Sequence, residues 1–233
     1  MHYKYQDIVI KSENSAKPIS TPSKDILLLF EEFVNKSDTV LDYGCGKLRY
    51  TVPLSRMCNK VFGVDSREQL TRTIKISGKP TTLMNYAKQF KNINLFTIDN
   101  QEWMNIKYDK IILSHVLSSI PYEEDRIQIV NTLKDIMDEK STLLACTNHR
   151  MSYFKKWDKS DKVIKYNDGY LIKEPHPSYF GKIDKEKLAG YFKSNGYKIL
   201  KSFIVEDNSY CICKRKKQGD GSLFDDPILP LAR

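Results

Sequence analysis

The chain has 233 residues, 40% of them hydrophobic, with a formal net charge of +9. That length and apolar fraction suffice for one domain with a sizeable core, and no run of about eighteen apolar residues offers a membrane-crossing helix. The opening Met-His-Tyr-Lys-Tyr-Gln-Asp lacks the apolar stretch of a secretion signal, and the five cysteines show no CxxC or Cys/His spacing, so a cytoplasmic chain without a metal is expected.

Taken in order, residues 1–22 are polar, with Ser, Pro and Lys, and read as an N-terminal arm. Residues 23–36 have helical spacing of apolar positions, with Ser23 as cap. A strand is predicted at 39–43, a helix over 48–57, a strand at 60–65, a helix over 66–76, and a loop and helix to 90. Strands follow at 93–99 and 109–114, then a helix over 122–138 and a strand at 141–147. Helix 184–194 stops at Asn195-Gly196, and strands 197–205 and 209–215 are joined by a turn at Glu206-Asp207-Asn208. This rhythm calls for an α/β fold: a doubly wound, mostly parallel sheet finished by an antiparallel hairpin. One domain spans 23–215. Residues 148–183 form an insertion within it, and 216–233 read as a flexible tail that docks on a protein partner or stays disordered.

The most informative stretch is Asp38 to Tyr50. An apolar strand ends in Asp42, and Gly44 and Gly46 let the backbone turn tightly beneath a ligand, at the sheet edge where open α/β folds bind. Asp65 ends the next strand about twenty residues later, the distance at which an acid meets ribose hydroxyls in nucleotide folds. Asp99 and Asn100 end the third strand, and Ser114 and His115 the fourth. Singly, Asp65 and Asp99 read as helix caps. Their joint spacing favours one adenosine ligand. A nicotinamide enzyme shares much of this layout, but its third glycine falls on Arg49, and Asp42 would face a pyrophosphate unfavourably.

Asp42, Gly44 and Gly46 resemble motif I of the class I S-adenosylmethionine (SAM) dependent methyltransferases, with Leu48 where the third glycine usually stands. Residues 108–121 resemble motif IV of the small-molecule branch, and the terminal hairpin also matches. The resemblance covers about residues 25–215. It implies a Rossmann-like seven-stranded fold with SAM as cofactor, held by Asp42, Gly44, Cys45, Gly46, Asp65, Ser66, Asp99, Asn100 and Ser114. Asp65 would accept from the ribose hydroxyls and the Asp99–Asn100 end would meet the adenine amine.

Methyl transfer needs a base only where the nucleophile must lose a proton. His115 and His149 are the candidates, because imidazole titrates near neutrality; lining the pocket and capping a strand are their structural alternatives. Insertion 148–183 is rich in aromatics, so it reads as a substrate lid, with Tyr153, His176 and Tyr179 on the acceptor side, helped by Tyr3 and Tyr5 of the arm. No Asn/Asp-Pro-Pro-aromatic motif follows the fourth strand, and no Pro-Cys pair suggests a cysteine nucleophile. A small or medium-sized acceptor is therefore favoured. Nucleic acid is the alternative, drawn from the net charge and from Lys155, Lys156, Lys159, Lys162 and Lys165 around Trp157, although thirty of the 38 basic residues are lysines. A non-catalytic SAM-binding or partner-binding protein is the third reading.

Overall fold

Two short strands, β1 (His2–Tyr5) and β2 (Ile8–Lys11), pair as an antiparallel hairpin and run into a 3-10 turn at Ser12–Ser15. This opening belongs to a computed structural model that describes residues 2–149 and 154–217. The expected polar arm is thus an ordered hairpin, with Ile10 fully buried and Tyr3 nearly so.

Helix α1 (Lys24–Phe33) buries Ile26 and Phe30, four residues apart on one face. Strand β3 (Thr39–Tyr43) follows, then α2 (Thr51–Ser55), β4 (Lys60–Asp65) and α3 (Arg67–Thr71). A short hairpin, β5 (Ile74–Ile76) with β6 (Lys79–Thr81), leads into α4 (Leu83–Ala87) and β7 (Ile93–Thr97). Next come β8 (Lys110–Ser114), α5 (Glu123–Asp135) and β9 (Thr142–Asn148). The insertion holds α6 (Phe154–Trp157), β10 (Val163–Tyr166), β11 (Gly169–Ile172) and β12 (Ser178–Gly181). Helix α7 (Lys185–Ser194) and strands β13 (Tyr197–Val205) and β14 (Asn208–Arg215) complete the fold.

The main sheet has seven strands in the order β13-β14-β9-β8-β3-β4-β7. β7, β4, β3, β8 and β9 are parallel, whereas β14 runs antiparallel to β9 and β13 antiparallel to β14. Ile111, Ile112 and Leu113 of β8 are all buried, as expected for a central parallel strand covered on both faces. Two apolar clusters result, one on each face. Leu41, Tyr43, Ile111 and Leu113 belong to one, and Val40, Ile112, Leu144 and Cys146 to the other.

Two helix boundaries differ from the sequence reading by several residues, each for a local reason, and the insertion holds more regular structure than expected. The helix expected over 48–57 begins only at Thr51, because Leu48 sits in the left-handed region at φ +61. Its side chain is fully buried, and this burial offsets a backbone conformation that costs a non-glycine residue about 1–2 kcal/mol. Leu48→Gly should relax the backbone yet lose the buried side chain, for a net destabilisation of about 1–3 kcal/mol in urea denaturation. The helix expected over 66–76 stops at Thr71, and Ser77-Gly78, both at positive φ, turn β5 back onto β6. The described part of the insertion is not irregular: β10, β11 and β12 form a three-stranded antiparallel sheet.

That small sheet reaches over the carboxyl edge of the main sheet. β12 packs on the turns at Leu117–Ser119 and Ser12–Ser15. Lys11 N–H and Asn14 Nδ2 both donate to the Pro177 carbonyl, at 3.3 and 2.9 Å, so the N-terminal hairpin and the insertion are stitched into one roof.

Candidate functional site

Gly44, at φ +71, and Gly46, at φ +56, carry the chain off the end of β3. A Cβ on Gly44 would stand 2.3 Å from Val116 Cγ2, so this turn needs glycine for both backbone and space. The Gly44 and Cys45 N–H groups donate to the Val64 carbonyl at 2.8 and 3.1 Å, which ties the turn to β4. Asp65, at the tip of β4, then accepts from Gly46 N–H through one carboxylate oxygen and from Ser66 N–H through the other, each at 2.7 Å. Burial lifts the Asp65 carboxyl to about 6 despite these two donors. Ser66 caps α3 by accepting from Gln69 N–H and donates its hydroxyl proton to Glu13 at 2.7 Å.

These groups border a cavity of about 1160 Å³, including its open mouth. The ends of β3, β4, β8 and β9 form its floor, and Ser12 to Lys17 with Phe180 of β12 form its roof. Of the residues singled out from sequence, Gly44, Cys45, Gly46, Asp65, Ser66, Ser114 and His115 line it together. Ser114, beside the Cys146 thiol, and His115, whose Nδ1 is buried without a hydrogen-bond partner among the described residues, form the β8 end of the cavity wall.

His115 is held at φ +60 with Nε2 3.7 Å from Cys146 Sγ. Burial, and then the positive charges of Arg49 and Lys17, depress its imidazole to about 3. It is neutral at physiological pH and a weak base.

Other sequence-selected residues lie off the cavity wall. Asp42 shares the Val40 face of β3, where its carboxylate accepts from the Thr51 hydroxyl at 2.6 Å and fixes the start of α2; burial raises it to about 7. Tyr43, on the opposite face, lines the cavity instead. Asp99 turns outward to Arg67 at 2.6 Å, and Asn100 caps the turn at Gln101–Asn105 through Glu102 N–H, so Ile98 represents that strand end in the cavity. His149 is buried against Ser209, 3.2 Å from its Oγ, and its neighbour Asn148 faces the cavity. His176 is exposed on the β11–β12 connection. Tyr179 is fully buried, with its hydroxyl donated to Asp168. Tyr153 lies outside the described residues.

Sequence reasoning missed Glu13, Lys17, Tyr43 and Phe180, all of which line the cavity. Strand alternation, which places Tyr43 opposite Asp42, was the available signal for one of them. The other three arrive from distant segments through the roof.

Among the described residues, His2, Glu13 and Glu68 bring possible metal-ligand atoms within 4.8 Å of one another, but Lys11 already pairs with Glu68 at 3.1 Å. No helix among the described residues is long and apolar enough to cross a membrane.

Comparison with known proteins places this geometry. The family model of a methyltransferase domain matches residues 17–202. The uncharacterized protein YmfD of Escherichia coli (strain K12) is 32% identical over 212 residues, 90% of this chain and 94% of that protein. RlmD of Histophilus somni, a 23S rRNA (uracil(1939)-C(5))-methyltransferase, is 27% identical over 114 residues, 48% of this chain but 24% of its own length. A solved SAM-dependent methyltransferase from Methanosarcina mazei superimposes with a TM-score of 0.60 at 13% identity, over 81% of this chain and 97% of that one, a likeness of fold. With its glycine turn, its strand order and a family match over most of its length, the chain belongs to the methyltransferase-domain family of class I, the SAM-dependent methyltransferases.

Proposed function

We propose that the chain transfers a methyl group from SAM to a small or medium-sized acceptor bound beneath the roof. The observation that carries this reading is Asp65, which borders the cavity while each of its oxygens holds one backbone donor. Each oxygen keeps lone-pair capacity for the hydroxyls of a ribose. Gly44 and Gly46 supply a surface without side chains for the rest of the nucleoside, with Ser114 and His115 on the adjoining wall. When bound, SAM contributes an activated methyl on a sulfonium, so the protein's main task is alignment and exclusion of water.

Acceptor size follows from the roof. Phe180 and the Ser12–Lys17 segment border the cavity from above and narrow the room left beside a cofactor for a bulky acceptor. Nucleic acid has weaker support, because the relative acting on ribosomal RNA matches this chain over a quarter of its own length. Calorimetry with SAM and S-adenosylhomocysteine (SAH), followed by transfer of labelled methyl to metabolite and RNA fractions, tests the reading. Micromolar cofactor binding and label in the metabolite fraction are expected. Label confined to RNA would replace the acceptor, and cofactor binding without transfer to any fraction would make the protein a non-catalytic binder.

A further inference from the structure

Strand β13 closes the main sheet on one side, and among the described residues no strand pairs with its outer edge. Leu200, Ile204 and Val205 of this strand stay 48, 47 and 37% exposed. Its cations are uncovered too. Lys198 stands directly opposite Lys214 of β14, a like-charge pair that costs stability, and Lys201 follows three residues on. Among the described residues none of these three lysines makes an ion pair. Lysines and the register shift between Ile199 and Lys201 blunt the edge against foreign strands, yet they leave three apolar side chains in water. An occupant matched to this edge brings both acids and apolar groups.

The chain itself carries such a segment. Residues 218–233, outside the described residues, contain Asp220, Asp225 and Asp226 and the apolar Leu223, Phe224, Ile228, Leu229 and Leu231. They are attached at the right end of the edge: Arg215 pairs with Tyr197, and Lys216 N–H donates to the Gly196 carbonyl at 3.0 Å, so the chain leaves β14 where β13 begins. Gly219 and Gly221 permit a tight turn there, and a segment of this length reaches up to about 50 Å, beyond the ~30 Å of β13. We propose that residues 218–233 fold back on their own chain, that 222–226 pair as an eighth strand parallel to the 201–205 part of β13, and that the aspartates lie beside Lys198, Lys201 and Lys214. Pro227, which has no N–H to donate, ends the pairing, and Ile228 and Leu229 continue towards Ile204 and Val205. Tethering gives the segment an effective concentration on the order of a millimolar. A second copy of the chain is a poorer occupant, because edge pairing across a two-fold axis would bring Lys198 and Lys201 of both copies together.

Hydrogen exchange of the full chain, read by NMR, tests this. Amides of 222–226 and alternate amides of 201–205 should exchange at least about tenfold slower than in the full-length double variant Asp225→Lys with Asp226→Lys, which reverses the charge without touching any described residue. A second full-length variant, Leu223→Ser with Phe224→Ser, should lose the same protection. Wild-type protection should be the same at about 10 and 500 µM protein, as an intramolecular contact requires. Protection that grows with concentration would give the edge to a second copy and overturn the fold-back. Unprotected 222–226 in the wild type, or equal protection in the charge-reversed variant, would overturn it as well.

Discussion

Replacing Asp65 with alanine should weaken SAH binding at least about a hundredfold, the largest effect expected of any cofactor-side substitution. Two hydrogen bonds from ribose hydroxyls to a carboxylate contribute about 1.5–3 kcal/mol each, and about 1.4 kcal/mol is a factor of ten. The variant also leaves the Gly46 and Ser66 N–H groups without their acceptor, which loosens the glycine turn. Asp65→Asn, which keeps one acceptor oxygen, should fall between the two. Because burial lifts the free carboxyl to about 6, the pH dependence has a defined sign. Only the ionised form accepts from both hydroxyls, so wild-type affinity should decline as pH falls below about 6, while Asp65→Asn should lack that decline. Calorimetry across pH 5–8 reads both; unchanged affinity in Asp65→Ala would remove the ribose assignment.

The second large effect concerns the roof. Arg126 is almost fully buried on α5 and forms a bidentate pair with Asp168, in the β10–β11 turn, at 2.5 and 2.8 Å. Lys187 and Tyr191 of α7 and Tyr179 of β12 complete the network. Asp168→Ala leaves a guanidinium buried without its carboxylate, and a loss of about 3–5 kcal/mol in urea denaturation is expected. A double variant, Arg126→Met with Asp168→Leu, should recover much of it, because a packed apolar pair carries no desolvation cost.

The pH behaviour separates the ion pair from mere packing. Burial alone would raise the Asp168 carboxyl, but hydrogen bonding and charge from Arg126, with help from Lys187 and Tyr179, hold it well below the usual range. A depressed carboxyl stabilises the fold above the unfolded pKa of about 3.9 and loses that contribution as pH falls below it. Wild type should therefore lose stability below about pH 4 more steeply than the double variant. A loss under 1 kcal/mol in Asp168→Ala would show that the network does not hold the roof.

Particular residues show which parts of this molecule were legible in its sequence. Strand β3, Gly44, Gly46 and Asp65 were readable because period, turn chemistry and acid spacing are local properties of short segments. The terminal hairpin was readable for the same reason. Asp42 was misplaced because an acid before a glycine turn says nothing of which sheet face it takes; alternation along β3 gives that face to Tyr43. Asp99 follows its strand at the expected interval, yet the Arg67 guanidinium draws it to the surface. The partnership of Arg126 with Asp168 spans 42 residues and leaves no periodic signature. Glu13 and Lys17 enter the cavity only because β2 meets the β11–β12 connection, a long-range contact that no local pattern encodes.

That last contact also sets the order of assembly. Asn14 finds Pro177 across 163 positions of chain, so a polypeptide growing on the ribosome can set its opening segment against α3, through Glu13 with Ser66 and Lys11 with Glu68, long before the insertion arrives to join it. The open sheet can gather first, from neighbours close in sequence, whereas roofing is the late, slow step that long loop closure imposes. A nascent chain arrested before residue 178 would carry the glycine bend and its acid but no enclosed chamber. Higher protease sensitivity of residues 2–17 in such a truncated chain than in the full-length protein would time that event.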